Sequence, residues 1–151
     1  DGFIVLQQEN AYHYLFLEVD RGTMALRRIR SKLKGYRNYY YEGGFFAKYG
    51  QEGFRKEDYS FRVLMTCPTE ETRNNRLEIA AVMGSNTMMW FGIHREVVGN
   101  PLGAVWIRGK EYKEAMQLLP PEEEYRWMRS HNKQERDLFI RKRVQPQSLI
   151  A

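Results

Sequence analysis

Runs of apolar residues along the chain alternate with short polar breaks and predict a succession of strands and helices. The short run 3–6 and the longer run 12–20 are joined by polar residues and predict an antiparallel hairpin. Later apolar runs, at 61–66, 88–93 and 104–107, predict further strands. Helical segments between the hairpin and the next two strands give the order ββαβαβ, which predicts an α/β fold with a mixed β-sheet flanked by helices.

The first helical segment, 24–42, combines an apolar stripe with a densely basic surface. Thr23 is its predicted N-cap, and Gly43-Gly44 are expected to end or interrupt it. No acidic residue occurs between Thr23 and Glu42. The stripe consists of apolar residues spaced by three or four positions, namely Leu26, Ile29, Leu33, Tyr36 and Tyr40.

A second helix is predicted at 69–83, with Thr69 as its N-cap. Its buried side is expected to carry Leu77, Ala80 and Ala81. A charged amphipathic helix is predicted at 121–144. The chain is therefore predicted to contain an α/β core at 1–110 and a C-terminal helical extension at 111–151.

Composition and charge narrow the class of protein. The chain has 151 residues, enough for one domain and an appendage, and its net charge of +5 favours an anionic partner such as nucleic acid. Cys67 is the only cysteine, which excludes an internal disulfide and a zinc site built from a cluster of cysteines, and favours a reducing, cytoplasmic setting. No apolar run reaches the roughly 18 residues of a membrane helix, so no membrane partner is expected.

Acidic residues mark the end of the predicted hairpin. Glu18 and Asp20 are two positions apart, so in a strand they lie on the same face. A two-residue loop at 9–10 would place Asp1 opposite Glu18, and a four-residue loop would place it opposite Asp20. In both registers Asp1 shares the face of the other two acids. A three-residue loop would break this arrangement.

Three carboxylates on neighbouring strands are hard oxygen ligands suited to Mg²⁺ or Mn²⁺. A buried carboxylate without a partner is costly, and a divalent cation would offset that cost. The metal ligands predicted on this basis are Asp1, Glu18 and Asp20. The alternative from spacing alone is that Glu18 and Asp20 form ion pairs with Arg21, Arg27 or Arg28.

The first helix offers two lysines that flank its apolar stripe. Lys32 lies about 80° from the centre of the stripe and one turn before Tyr36, whereas Lys34 lies about 120° away on the other flank. Lys32 is therefore the better candidate to reach the acids, although a solvated lysine is the simpler alternative. The remaining basic residues are predicted to contact nucleic-acid phosphates, and they are Arg27, Arg28, Arg30, Lys34 and Arg37.

Several of these residues together resemble the replication-relaxation family of bacterial and plasmid proteins. The resemblance rests on Asp1-Gly2, on the segment 18–23 (Glu-Val-Asp-Arg-Gly-Thr) and on the segment 32–36 (Lys-Leu-Lys-Gly-Tyr). Shorter pieces at 62–66 and 103–106 agree, so that it covers most of 1–107. The family is similar in pattern to the PD-(D/E)xK nucleases and their restriction-endonuclease-like core. The resemblance implies a magnesium-dependent DNA hydrolase acting in plasmid replication, and an upstream winged-helix module preceding Asp1.

Position by position, Asp1 matches the aspartate of the PD half and Glu18 matches the (D/E). Asp20 stands where the motif has its lysine. In some branches of the superfamily that lysine has moved to the next helix, and in others this helix carries Q-x-x-x-Y. Lys32 and Tyr36 form K-x-x-x-Y in a similar place. The resemblance thus implies a catalytic set of Asp1, Glu18, Asp20, Lys32 and Tyr36.

Three functions follow from these observations. The first is a DNA endonuclease or nickase-like domain. The second is a non-catalytic DNA-binding accessory module with the same fold, and the third is a protein-interaction domain in which arginines neutralise the acids. The sequence leaves open the DNA structure that is bound and whether the protein forms a homodimer.

Overall fold

A computed structural model describes residues 1–8, 11–84, 88–108 and 116–117, the last pair by its backbone alone. Its centre is a four-stranded sheet in the order β1-β2-β3-β4. The first pair is antiparallel and the other two pairs are parallel. The predicted mixed α/β sheet is therefore confirmed. The strands are β1 (Gly2–Gln8), β2 (Ala11–Val19), β3 (Phe61–Cys67) and β4 (Met89–Ile93).

The hairpin register is the one predicted for a two-residue loop. Gln8 pairs with Ala11 and Gly2 pairs with Leu17, with no shift between them. The next position along this register sets Asp1 beside Glu18. Because directly paired residues share a face of the sheet, Asp1 and Glu18 lie on the same side.

Among the described residues, four helices accompany the sheet: α1 (Leu26–Tyr41), α2 (Gly44–Tyr49), α3 (Glu70–Val82) and α4 (His94–Gly99). Thr69 caps α3 as predicted, since its hydroxyl accepts from the amide of Thr72. Gly43 adopts φ of 81°, a left-handed conformation that suits glycine, and separates α1 from α2. A short 3₁₀ turn, Lys56–Asp58, precedes β3.

The start of α1 differs from the prediction in two respects. The N-cap is Ala25, which makes no side-chain cap, so the expected cap at Thr23 is wrong. Leu26 is 51% exposed and does not belong to the buried stripe, whereas Ile29 and Leu33 are fully buried.

Both faces of the sheet are packed. One face carries the larger core, in which Phe45 and Phe61 from α2 and β3 meet Ile29 and Leu33 of α1. The other face is smaller and packs Leu15, Leu64, Trp90 and Trp106 together. The acids of β2 lie on the larger, helix-covered face, since Glu18 follows the buried-side position Phe16 by two residues.

The last predicted strand forms, and it lies outside the four-stranded sheet. β5 (Ala104–Trp106) pairs with β6 (Met116–Gln117) in a separate ribbon. Ile107, the residue that follows β5, forms an antiparallel bridge with Phe91 of the main sheet. The helix predicted at 121–144 and most of the extension 111–151 lie outside the described residues. Within the described residues, no helix has both the length and the apolar character needed to cross a membrane.

Candidate functional site

The candidate site lies where β2 ends, next to the face of α1. Glu18 is the penultimate residue of β2 and is buried, whereas the following Val19 is exposed. The next residue, Asp20, is fully buried. The predicted alternation is therefore observed, with both carboxylates on the helix-covered face and Val19 on the other.

Lys32 lies between two of the predicted acids. Its ammonium donates to Oε2 of Glu18, and it lies 3.3 Å from Oδ2 of Asp1. The Glu18 side chain is 6% exposed and the Asp1 side chain is 61% exposed. Lys32 thus connects a buried carboxylate to one that faces the solvent. The other oxygen of Asp1 lies 3.4 Å from the amide of Val19.

Tyr36 completes the cluster from one turn further along α1. Its hydroxyl donates to Oε1 of Glu18 at 2.7 Å. Its ring packs against Phe16 and Phe61, at centroid distances of 5.3 and 6.2 Å. Burial, then the hydrogen bond to Glu18 and the charge of Glu18, raise the pKa of Tyr36 well above its usual value. The phenol therefore remains protonated and acts as a donor at physiological pH.

Asp20 has different partners from Glu18. Its Oδ2 accepts from Nε of Arg76 at 2.7 Å, and its Oδ1 accepts from the amide of Gly22 at 2.9 Å. Arg76 is 5% exposed and also donates to the carbonyl of Met24. The structure therefore joins Asp20 to α3 and does not bring it into contact with Lys32. An arginine does neutralise Asp20, but it is none of the three that spacing suggested.

The expected convergence of three acids is thus reduced to two. Over the part of the chain that the structure describes, no group of three or more His, Cys, Asp or Glu side chains is arranged to hold a metal ion. Asp1 and Glu18 remain as a pair of carboxylates on adjacent strands, with Lys32 between them. Asp20 instead fixes the loop that leads from β2 into α1.

An open cleft of about 560 Å³ borders this cluster. Its charged lining comprises Asp1 and Lys32 from the cluster, together with Arg21 and Arg28. Val19 and the loop 23–25 complete the lining. The cleft therefore contains three cationic side chains and one carboxylate.

The basic residues of α1 do not form one surface. At about 100° per residue, Arg28 and Lys32 lie on the same flank of the helix. Arg27, Arg30 and Lys34 are exposed on the other flank, and they do not line the cleft. Arg37 donates to the carbonyl of Met83 at 2.6 Å and thereby ties α1 to the end of α3. Of the five predicted phosphate contacts, only Arg28 borders the cleft.

Sequence reasoning missed Arg76. It is 56 positions from Asp20. The one local signal is its position on α3, where it immediately precedes the buried Leu77, and this position does not identify Asp20 as its partner.

Cys67 is not a candidate nucleophile. It is fully buried at the end of β3. Burial, together with the negative charge of Asp20, raises the pKa of the Cys67 thiol to about 12, although Arg76 and Arg73 oppose this shift. The thiol is therefore protonated at physiological pH.

The fold and the site together define a mixed α/β domain with a cluster of two carboxylates, a lysine and a tyrosine at the end of a central strand. Residues 1–52 match the model of the Replication-relaxation family. The matched segment contains β1, β2, α1 and all five predicted catalytic residues, and it covers about a third of the chain. None of the curated proteins and none of the solved structures matches the chain.

The hydrogen bond between Tyr36 and Glu18 gives a first prediction. We expect Tyr36→Phe to lower the free energy of unfolding at neutral pH by about 1.5–3 kcal/mol, the range for a hydrogen bond to a charged group. Because the folded state raises the pKa of Tyr36, the unfolded chain releases this proton first, and stability falls as pH rises above about 10.

The ionisation of Tyr36 lowers the free energy of unfolding by at most about 1.4 kcal/mol per pH unit. Urea unfolding at pH 7 and at pH 9 to 11 measures both effects. The Tyr36→Phe variant should lose less stability than the wild type over the alkaline range. Parallel alkaline curves for the two proteins would contradict the assignment, and Tyr41→Phe, on an exposed side chain, is the control.

Proposed function

We propose that this chain is a divalent-metal-dependent DNA endonuclease or nickase-like domain with a restriction-endonuclease-like core. The single observation that carries the proposal is the contact of Lys32 with both Asp1 and Glu18. Asp1 directly precedes β1, Glu18 lies in the adjacent strand β2, and Lys32 lies in the following helix α1. The resemblance to PD-(D/E)xK nucleases implies this arrangement. The match of residues 1–52 supports a role in plasmid replication or relaxation.

Asp1 and Glu18 have the donor chemistry that Mg²⁺ or Mn²⁺ requires. Magnesium is commonly held by one or two carboxylates and several waters, and Asp1 is open to water. The bound ion would supply polarisation of a phosphate and a lower pKa for an attacking water. With two carboxylates against one ammonium, the cluster carries a net negative charge that favours a cation.

The other residues of the cluster have distinct roles in this proposal. Lys32 moves from its ion pairs to the phosphate or the attacking water, where its charge stabilises the transition state. Tyr36 holds Glu18 in place through its hydroxyl. Asp20 and Arg76 act as positioning residues, because they fix the loop between β2 and α1.

The DNA contact is assigned to the cleft beside the cluster. Arg28 would contact backbone phosphate there, and such a contact positions DNA without reading its sequence. For Arg27, Arg30 and Lys34 a phosphate contact stays a prediction. The side chain of Arg37 is engaged with Met83, so its role is to hold α1 against α3.

Glu18→Gln tests the function. We expect the wild-type protein to nick supercoiled plasmid DNA with Mn²⁺ or Mg²⁺, and Glu18→Gln to show no cleavage above background. The amide keeps the size of the side chain and an acceptor for Tyr36 but removes the charge. Calorimetric titration with Mn²⁺ should show a matching loss of binding. The control is Glu71→Gln, on an exposed residue of α3, which should retain both properties.

A second candidate function is a non-catalytic DNA-binding module. One observation favours it: both oxygens of Glu18 already have partners, in Lys32 and Tyr36, so the buried acid is satisfied without an ion. This function would be established if the wild type and Glu18→Gln both bind DNA but neither cleaves supercoiled or single-stranded DNA in the presence of metal. A chain that binds neither metal nor DNA would point instead to a protein-interaction domain.

A further inference from the structure

The cleft beside the cluster is lined by more positively charged side chains than negatively charged ones. Lys32 is paired with Asp1 and Glu18. Arg21 and Arg28 also line the cleft, and both are exposed. Neither guanidinium forms an ion pair with another described residue. The described part of the cleft is therefore built to accept an anion.

We propose that Arg21 and Arg28 form a seat for one phosphate group of a DNA strand, next to the phosphate that faces Lys32. Phosphate suits the pair because a guanidinium fork donates two parallel hydrogen bonds to its oxygens. This inference rests on the proposed function for the choice of DNA, and it adds a second, non-reacting phosphate site.

Helix geometry places Arg28 beside Lys32. Arg28 precedes Lys32 by four residues, so the two side chains emerge about 5–6 Å apart on one flank of α1. A strand that crosses this flank presents one phosphate to the ammonium and another to the guanidinium. Arg27 is rotated by about 100° from Arg28 and does not line the cleft.

The start of α1 adds to the attraction. The helix has no acidic residue in its first turn, and its N-cap, Ala25, has no side-chain cap. Ala25 and Thr23 both line the cleft. The partial positive charge of the helix start therefore faces the same space as the two arginines, with no carboxylate in the first turn to offset it.

The carboxylate of Asp1 opposes an anion in this cleft. Its charge is offset by Lys32, whose ammonium lies 3.3 Å from it. Arg21 and Arg28 form no ion pair with another described residue, so the described lining of the cleft keeps a net positive charge. We therefore assign the seat to these two arginines.

The test is DNA binding in the presence of EDTA, where cleavage plays no part. Fluorescence anisotropy with a short labelled DNA duplex is measured for the wild type and for Arg21→Gln, Arg28→Gln and the double variant. Each change should weaken binding about tenfold, the scale of one charged hydrogen bond. Each should also reduce the slope of log affinity against log salt by about 0.9. Arg95→Gln, the matched control on an exposed arginine of α4 that does not line the cleft, should change the affinity less than twofold.

Three further probes distinguish the sources of the phosphate. They are the same duplex with a 5′-phosphate, the same duplex with a 3′-phosphate, and inorganic phosphate as competitor. If only a phosphorylated end binds tightly and depends on Arg28, the seat holds a terminal phosphate. If all duplexes bind equally and depend on Arg28, it holds a backbone phosphate. Either result supports the seat.

The seat is overturned if the double variant binds as the wild type does, or if Arg95→Gln weakens binding as much as Arg28→Gln. Circular dichroism of each variant excludes loss of fold as the cause. The outcome is separable from that of the proposed function. If Arg28→Gln loses DNA binding while the wild type shows no metal-dependent cleavage, the phosphate seat is supported and the nuclease function is contradicted. If the double variant cleaves DNA with an unchanged KM, the nuclease function is supported and the seat is contradicted.

Discussion

Arg76→Met should lower the free energy of unfolding by about 3–5 kcal/mol, the cost of leaving a buried charge without its partner. Asp20 is fully buried and Arg76 is 5% exposed, so water cannot replace the lost guanidinium. The carbonyl of Met24 loses its donor at the same time. Because domains of this size are stable by only about 5–15 kcal/mol, this one change removes a large share of the total.

Urea unfolding followed by circular dichroism measures this effect. The matched control is Arg55→Met, since Arg55 forms an ion pair with Asp58 on the surface of the same protein. Solvent screens that pair, and we expect little change. The double variant Asp20→Asn/Arg76→Met should recover part of the loss because it removes the unpaired charge. A loss below about 1 kcal/mol in Arg76→Met would mean that Asp20 does not depend on this pair.

Lys32→Met should separate metal binding from chemistry. We expect cleavage at saturating metal to slow by about 10²–10³-fold, the cost of removing one charged donor from a transition state. Mn²⁺ should nevertheless bind more tightly, because the ammonium no longer competes for Asp1 and Glu18. A change that strengthens metal binding while it slows cleavage is difficult to explain by misfolding.

Single-turnover cleavage and Mn²⁺ calorimetry provide the two measurements. Lys48→Met is the control, since Lys48 is an exposed lysine of α2 that does not line the cleft, and it should change neither quantity. If Lys32→Met cleaved DNA at the wild-type rate, Lys32 would be a structural counter-ion and not a catalytic group. If its Mn²⁺ affinity fell together with that of Glu18→Gln, the lysine would be organising the acids and not competing with the metal.

The central sheet could be predicted because its signals are local. The apolar run of β2 and the polar break before it determine the hairpin, and the register follows once the loop has two residues. Thr69 caps α3 through a hydrogen bond three residues away. The start of α1 could not be predicted in this way. Thr23 is a good cap by type, but Arg76 binds the Met24 carbonyl and Asp20 binds the Gly22 amide, and these contacts fix the backbone that precedes the helix.

The candidate site could likewise be predicted only where its signals are local. Helix geometry placed Lys32 and Tyr36 on the flank that meets β2, and both contact Glu18. The alternation of side chains along a strand correctly placed Glu18 and Asp20 on one side of the sheet. It could not show that α1 covers the first acid while α3 covers the second, because that choice depends on how two helices pack. The partner of Asp20 comes from 56 residues away, beyond any local pattern.

The pairing of Asp20 with Arg76 limits what the first third of the chain can do by itself. The segment 1–52 contains every predicted catalytic residue, yet it lacks the counter-ion of its most deeply buried carboxylate. It also lacks β3, which lies beside β2 and covers the flank of the hairpin. A truncated protein ending near residue 52 would leave a bare negative charge and an unpaired strand edge. The smallest autonomous unit must therefore extend at least through α3.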